Sequence, residues 1–173
     1  VDGRLLRSEL FDGPDAWNAQ RGRTALSRSA PSLPIQLMQQ LGWLDGRFSV
    51  LDYGCGYGIS SDALLSHLPQ DLVGFDLSVA RIRHCRHESS SKRAHYFVGD
   101  CETIAIRDAS FGAVFGNAIL HHLDMRKALS EVRRILEPQG QAVFVEPLGT
   151  NPAINLIRTL TPRARTPDER PLT

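Results

Sequence analysis

The sequence predicts an α/β domain, a parallel sheet with helices packed on its faces. Three observations carry this. Short β-rich runs alternate with helical apolar patterns. The runs lie too far apart in the chain to pair as hairpins, which leaves crossover connections. The 173 residues are 42% hydrophobic and 23% charged, enough for one core and too few for two.

Residues 1–31 are polar and mixed, with single aromatics at Phe11 and Trp17. Residues 14–27 have poor helical spacing, so this segment is expected to be an N-terminal arm or lid. From Pro34 onward, Ile35, Leu37, Met38, Leu41 and Leu44 recur at helical spacing, with Gly42 near the helix end and a turn at Asp45-Gly46. Residues 48–52 form a first strand that runs into glycines. Ala63, Leu64, Leu65 and Leu68 predict a helix stopped by Pro69. Residues 72–76 are a second strand, and Ser78 is placed to cap a helix over 79–87.

Residues 95–98 are a third strand, followed by Gly99-Asp100. Residues 111–115 are a fourth, followed by Asn117 and a short helical turn through His122. Met125, Leu129, Val132, Ile135 and Leu136 are expected on one face of the next helix, with charged residues opposite. Pro138-Gln139-Gly140 makes a turn into a fifth strand over 141–145. The expected domain is therefore 32–147. Five of the ten prolines fall after residue 146, so 148–173 reads as a Pro-rich extended segment with a short helix near 151–160.

Twenty Lys and Arg against nineteen Asp and Glu give a net charge of +1. Such a chain carries no basic field for a phosphate backbone, which disfavours a nucleic-acid partner. Cys55, Cys85 and Cys101 are odd in number and lack C-x-x-C spacing, against a disulfide scaffold and against a cysteine-built metal site. The expected setting is reducing and cytoplasmic. No apolar run is long enough to span a membrane, and the N-terminus has no signal-peptide core. The absence of a starting Met is expected of a processed, trimmed or fragmentary chain.

The chemistry concentrates after the first strand. Gly54, Gly56 and Gly58 alternate behind Asp52, a D-x-G-x-G-x-G pattern. Glycines there let the backbone turn tightly and approach a ligand, and the helix that follows offers free N–H groups. A plain turn is the competing reading. Asp52, Asp76 and Asp100 each stand at or just after the end of a strand, and so at one sheet edge. A carboxylate after the second strand suits a ribose diol. The dinucleotide pattern G-x-G-x-x-G differs by one residue, and Asp52 would repel a pyrophosphate but attract a cationic amine. A nicotinamide oxidoreductase is on this ground the remote alternative.

The sequence resembles the class I S-adenosylmethionine-dependent methyltransferases of the small-molecule type. VLDYGCGYG (50–58), GFDLS (74–78), VGDCETI (98–104), FGAVFGNAILHHL (111–123) and ALSEVRRILEPQGQAVFVEP (128–147) carry the resemblance. It implies a Rossmann-like core that binds S-adenosylmethionine and releases S-adenosylhomocysteine. By the same resemblance, Gly54, Cys55 and Gly56 would line the methionyl part. Asp52 would orient the loop and hold the amino group through water. Asp76 would bind the ribose hydroxyls, and Leu77 would pack on the adenine. Asp100 and the Cys101 backbone would meet the adenine edge, and Asn117 and Ala118 would sit near the reacting methyl.

His121 and His122 are the candidate general bases, since an imidazole titrates near neutrality. The structural alternative is that one of them packs under the sheet edge. Glu146 is read first as a solvated or structural carboxylate. The D/N-P-P-Y motif of enzymes that methylate adenine or glutamine is absent, so the expected acceptor is a small molecule, methylated on O, C or N. The family's sheet has two further antiparallel strands, for which this chain shows no signal. The alternatives are thus a truncated or non-catalytic binding module, and a dimer through the exposed sheet edge.

Overall fold

A computed structural model of the chain describes residues 33–89 and 91–146. The expected arm, the Pro-rich segment and the helix near 151–160 lie outside the described residues. The elements run α1 (Leu33–Gln40), β1 (Val50–Tyr53), α2 (Ile59–Leu65), β2 (Leu72–Asp76), α3 (Val79–Glu88), β3 (Ala94–Val98), β4 (Phe111–Asn117), a 3-10 turn (Leu120–His122), α4 (Met125–Ile135) and β5 (Leu136–Val145).

The strands form one sheet in the order β3-β2-β1-β4-β5, and every pairing is parallel. β1 is central, and all four of its residues are buried. It pairs with β2 at Val50–Leu72 and with β4 at Val50–Ala113. The chain winds outward from β1 to β3, then returns to the other side for β4 and β5. The crevice at the carboxyl ends of β1 and β4 is the point where the winding reverses, the place where open parallel sheets bind ligands.

The alternation of side chains along β1 sorts the core. Val50 joins Ile35, Met38, Leu64, Leu72 and Phe115 on the face covered by α1 and α2. Leu51 and Tyr53 join Phe75, Val114, Val132 and Ile135 on the face covered by α4. Each such large apolar side chain contributes about 1.5–3 kcal/mol by leaving water. Tyr53 is fully buried, donates its hydroxyl to the Cys101 carbonyl, and meets the Phe75 ring edge-on at 5.0 Å.

Strand ends shift by up to two residues from the sequence reading, and three larger features differ. α1 ends at Gln40 because Gly42 takes φ 71°. The N–H groups of Gly42 and Trp43 close onto Gln39 and Met38 carbonyls at 3.0 and 2.9 Å, the paired bonds of a left-handed helix stop. Leu44 is still buried, from the loop, whereas Leu37 and Leu41 are exposed. On α4 the buried face is Ala128, Val132 and Ile135, while Met125 and Leu129 are exposed. The expected apolar face was rotated: Leu129 lies about 100° around the helix from Ala128, and the small Ala128 carried no visible signal. Finally, Pro138-Gln139-Gly140 lies inside β5. The pairing jumps from Phe111–Leu136 to Ala113–Gln141, so 137–140 bulge out with Gln139 at φ 66°.

The Ser78 cap follows the sequence reading, and the structure adds a second cap at Asp124. The Ser78 hydroxyl accepts the Arg81 N–H at 3.1 Å, and Asp124 accepts from Arg126 and Lys127. Among the described residues no helix is long and apolar enough to cross a membrane.

Candidate functional site

The turn after β1 is built from left-handed backbone. Gly54, Gly56 and Gly58 take φ values of 74°, 54° and 79°, a region that side-chain-bearing residues adopt at a cost. Their surroundings differ. A Cβ on Gly54 would stand 2.6 Å from Ile119, and one on Gly58 3.2 Å from Cys85, whereas one on Gly56 would meet nothing within 4 Å. Gly56 therefore leaves open space above the loop, the cradle a ligand needs.

The loop is held from β2. The Cys55 N–H donates to the Phe75 carbonyl at 2.8 Å, and the Gly56 N–H donates to Asp76 Oδ2 at 2.9 Å. Asp76 Oδ1 accepts the Ser78 N–H at 2.9 Å. Two amides thus fix the plane of a buried carboxylate at the end of β2, beside the open glycine. Leu77 follows it, half-buried.

Asp52 is 1% exposed, and its Oδ2 accepts the Ser61 hydroxyl at 2.6 Å. Burial pushes its carboxyl up to about 7; Ser61 opposes the shift, and the charge on Asp76 adds to it. The sign for stability follows. The unfolded chain ionises this group near pH 4 while the folded chain keeps the proton, so folding stability falls as pH rises from about 4 to about 7. Asp52→Asn is expected to raise the melting temperature at pH 8 and to leave it unchanged near pH 4. Melting curves at the two pH values check this, and a lower melting point for the variant at pH 8 would contradict the burial argument.

Asp100 is half-buried and caps its own turn, Oδ1 accepting the Glu102 N–H at 2.8 Å. Cys101 is buried, and burial pushes its thiol well up, as befits an inert side chain. Cys55 is also buried. Its thiol is raised by the neighbouring Cys85 thiol and by burial.

Asn117 is exposed, with Nδ2 3.5 Å from the Ser60 hydroxyl. Ala118 takes φ 54° and donates its N–H to the Val145 carbonyl at 2.7 Å. His121 is buried and His122 half-buried, their rings 4.0 Å apart. His121 Nδ1 lies 2.7 Å from Glu146 Oε2.

The structure thus places the predicted residues along the carboxyl edge of one sheet: Asp52, Asp76 and Asn117 in the last two positions of β1, β2 and β4, and the others just after β1, β2, β3 and β4. Sequence reasoning missed three supports: Ser61 under Asp52, Ile119 against Gly54, and the burial of Glu146. A strand-end aspartate destined for burial needs a donor, and Ser61, on the next helix, was the available signal. The contact of Ile119 with Gly54 depends on β1 and β4 being neighbours, and the burial of Glu146 on β4 and β5 being neighbours.

The Methyltransferase domain family matches residues 51–144. An uncharacterized 37.1 kDa protein in transposon TN4556 of Streptomyces fradiae is 31% identical over 85% of this chain and 42% of that protein. The O-methyltransferase cnsE of Penicillium expansum is 28% identical over 60% of this chain and 39% of that enzyme. The chain spans less than half the length of these relatives. The crystal structure of YcgJ from Bacillus subtilis superposes with a TM-score of 0.64 at 24% identity, over 80% of this chain and 61% of that one, which shows the shared fold. The chain belongs to the class I S-adenosylmethionine-dependent methyltransferase family.

Proposed function

We propose that this chain binds S-adenosylmethionine and transfers its methyl group to a small-molecule acceptor through O, C or N. The observation that carries the reading is the joined unit of Gly56 and Asp76: an open left-handed glycine whose N–H is held by a buried strand-end carboxylate. In this reading Asp76 takes the ribose hydroxyls and Leu77 lies along the adenine, with Asp100 and the Cys101 backbone at its edge. Gly54, Cys55 and Gly56 face the methionyl part. Asp52 reaches the amino group through intervening groups, because it is buried. A ligand amine would favour its ionised form. Asn117 and Ala118 line the end where the methyl is presented.

The bound cofactor supplies an activated methyl on a sulfonium centre. The protein's part is alignment of the acceptor, with a base where the acceptor must lose a proton. His121 is the leading candidate base and His122 the second. The proposed domain is 32–147. Residues 1–31, as an arm or lid, and residues 148–173 would supply acceptor contacts. The three free cysteines support a reducing, cytoplasmic setting. The edge strand β5 is the face through which a dimer would form.

Calorimetric titration with S-adenosylhomocysteine tests the reading. One site with a dissociation constant in the micromolar range is expected. No heat at about 1 mM ligand, a limit of roughly −4 kcal/mol, would overturn it. Binding without transfer to any O, C or N acceptor would point to a non-catalytic module.

A further inference from the structure

Glu146, the residue after β5, is bonded at both carboxylate oxygens. Oε1 accepts the N–H groups of Ile119 and Leu120 at 2.8 and 2.7 Å. Oε2 meets His121 Nδ1 at 2.7 Å. The side chains of His121 and Glu146 are 5% and 4% exposed. Burial pushes the Glu146 carboxyl up, but His121 and the amides of Leu120 and Ile119 outweigh it, and the net shift is downward. The carboxylate is therefore ionised and can only accept. A contact of 2.7 Å to Nδ1 then requires the proton on Nδ1. On a neutral imidazole that leaves the lone pair on Nε2, which makes no hydrogen bond to another described residue.

The same carboxylate sets the backbone that carries the ring. The chain leaves β4 through the left-handed Ala118, strapped to Val145. It then turns through Ile119, whose side chain sits over Gly54. Glu146 holds that turn by two amides, so one side chain joins the end of β5, the histidine turn and the first glycine of the cofactor loop. The His122 ring, 4.0 Å away and tilted by 40°, packs on His121.

We infer that Glu146 is a positioning residue: it fixes His121 in the Nδ1–H tautomer and so presents Nε2 as the proton acceptor for the methyl acceptor's O–H or N–H. This rests on the methyl-transfer reading above. As the acceptor's lone pair forms its bond to the methyl carbon, the carbon–sulfur bond breaks and its electrons stay on sulfur. The acceptor's proton passes to His121 Nε2, giving an imidazolium whose Nδ1–H faces the Glu146 charge. A carboxylate suits that charge better than any neutral staple.

A staple with no chemical role would be served as well by glutamine, and this gives the test. In Glu146→Gln the amide oxygen can keep the two backbone bonds, while its NH2 faces Nδ1 and drives the ring proton to Nε2. Long-range proton–nitrogen correlation spectra of the 15N-labelled full chain at about pH 8 report which ring nitrogen carries hydrogen. His121→Gln identifies the signals. The expected result is Nδ1–H in the wild type and Nε2–H in Glu146→Gln, with S-adenosylhomocysteine affinity changed by less than about threefold, below 1 kcal/mol. A wild-type ring protonated on Nε2, or on both nitrogens at that pH, would overturn the inference, and so would an unchanged tautomer in the variant. The wild-type spectrum decides even if the variant fails to fold. Loss of S-adenosylhomocysteine binding by the wild type sinks the methyltransferase reading instead, whatever the tautomer.

Discussion

Asp76→Ala is expected to reduce S-adenosylhomocysteine affinity by at least about 100-fold, or 2.7 kcal/mol. Two losses add. On the proposed reading the ligand loses a charge-assisted acceptor, a contact on the order of 1.5–3 kcal/mol. The loop loses the carboxylate that holds the Gly56 and Ser78 amides. Each amide left without a partner costs about 1–3 kcal/mol where water cannot replace the bond. A fall in melting temperature should therefore accompany the loss of binding. Asp76→Asn separates the two terms. It keeps the volume but turns an NH2 toward one of the two amides, so binding should drop with a smaller change in melting. Calorimetry and melting curves on both variants make the comparison, and affinity within threefold of wild type in Asp76→Ala would mean the ribose anchor is misplaced.

Gly54→Ala should destabilise the fold by about 2–5 kcal/mol. Left-handed backbone costs a side-chain-bearing residue about 1–2 kcal/mol, and overpacking adds about 1–3 kcal/mol. The overpacking arises because the new methyl would stand 2.6 and 2.7 Å from Ile119 Cγ1 and Cδ1. Ile119 has little room to retreat, since its N–H is bound to Glu146 and its Cγ2 packs beside Gly116. Gly56→Ala gives the contrast. Its φ of 54° incurs the backbone term, but the methyl enters open space. It should melt a few degrees below wild type, by the backbone term alone, and so above Gly54→Ala, and it should lose affinity if the proposed ligand fills that space. Equal melting of the two variants would show that Ile119 does not press on the first glycine.

These contrasts mark what a linear reading could reach. β2 was legible to the residue, because a short apolar run through Leu72, Val73 and Phe75 ends in Asp76 and Ser78 caps the helix beyond. The turn at Gly54, Gly56 and Gly58 was legible because left-handed backbone selects glycine. The buried face of α4 was not, because Ala128 is too small to announce burial while Met125 and Leu129 are large and exposed. Glu146 read as a solvated or structural carboxylate. Its burial and its bond to His121 arise from a pairing between β4 and β5, across 25 residues of chain. Local pattern reports the identity of elements well and their mutual placement poorly, and the supports of this site are matters of placement.

The central position of β1 has a consequence for synthesis. The strand that carries the glycine turn is emitted before both of its neighbours, and one of them, β4, ends only at Asn117. Until that stretch has left the ribosome, β1 presents an open edge of unpaired backbone N–H and C=O groups, and the side of the glycine turn that Ile119 covers is bare. A nascent chain halted before residue 111 would hold Asp52, Gly56 and Asp76 in its sequence and still have no floor for a ligand. Cofactor capture would thus report that both halves of the chain have met, and free ligand would favour the completed form by mass action.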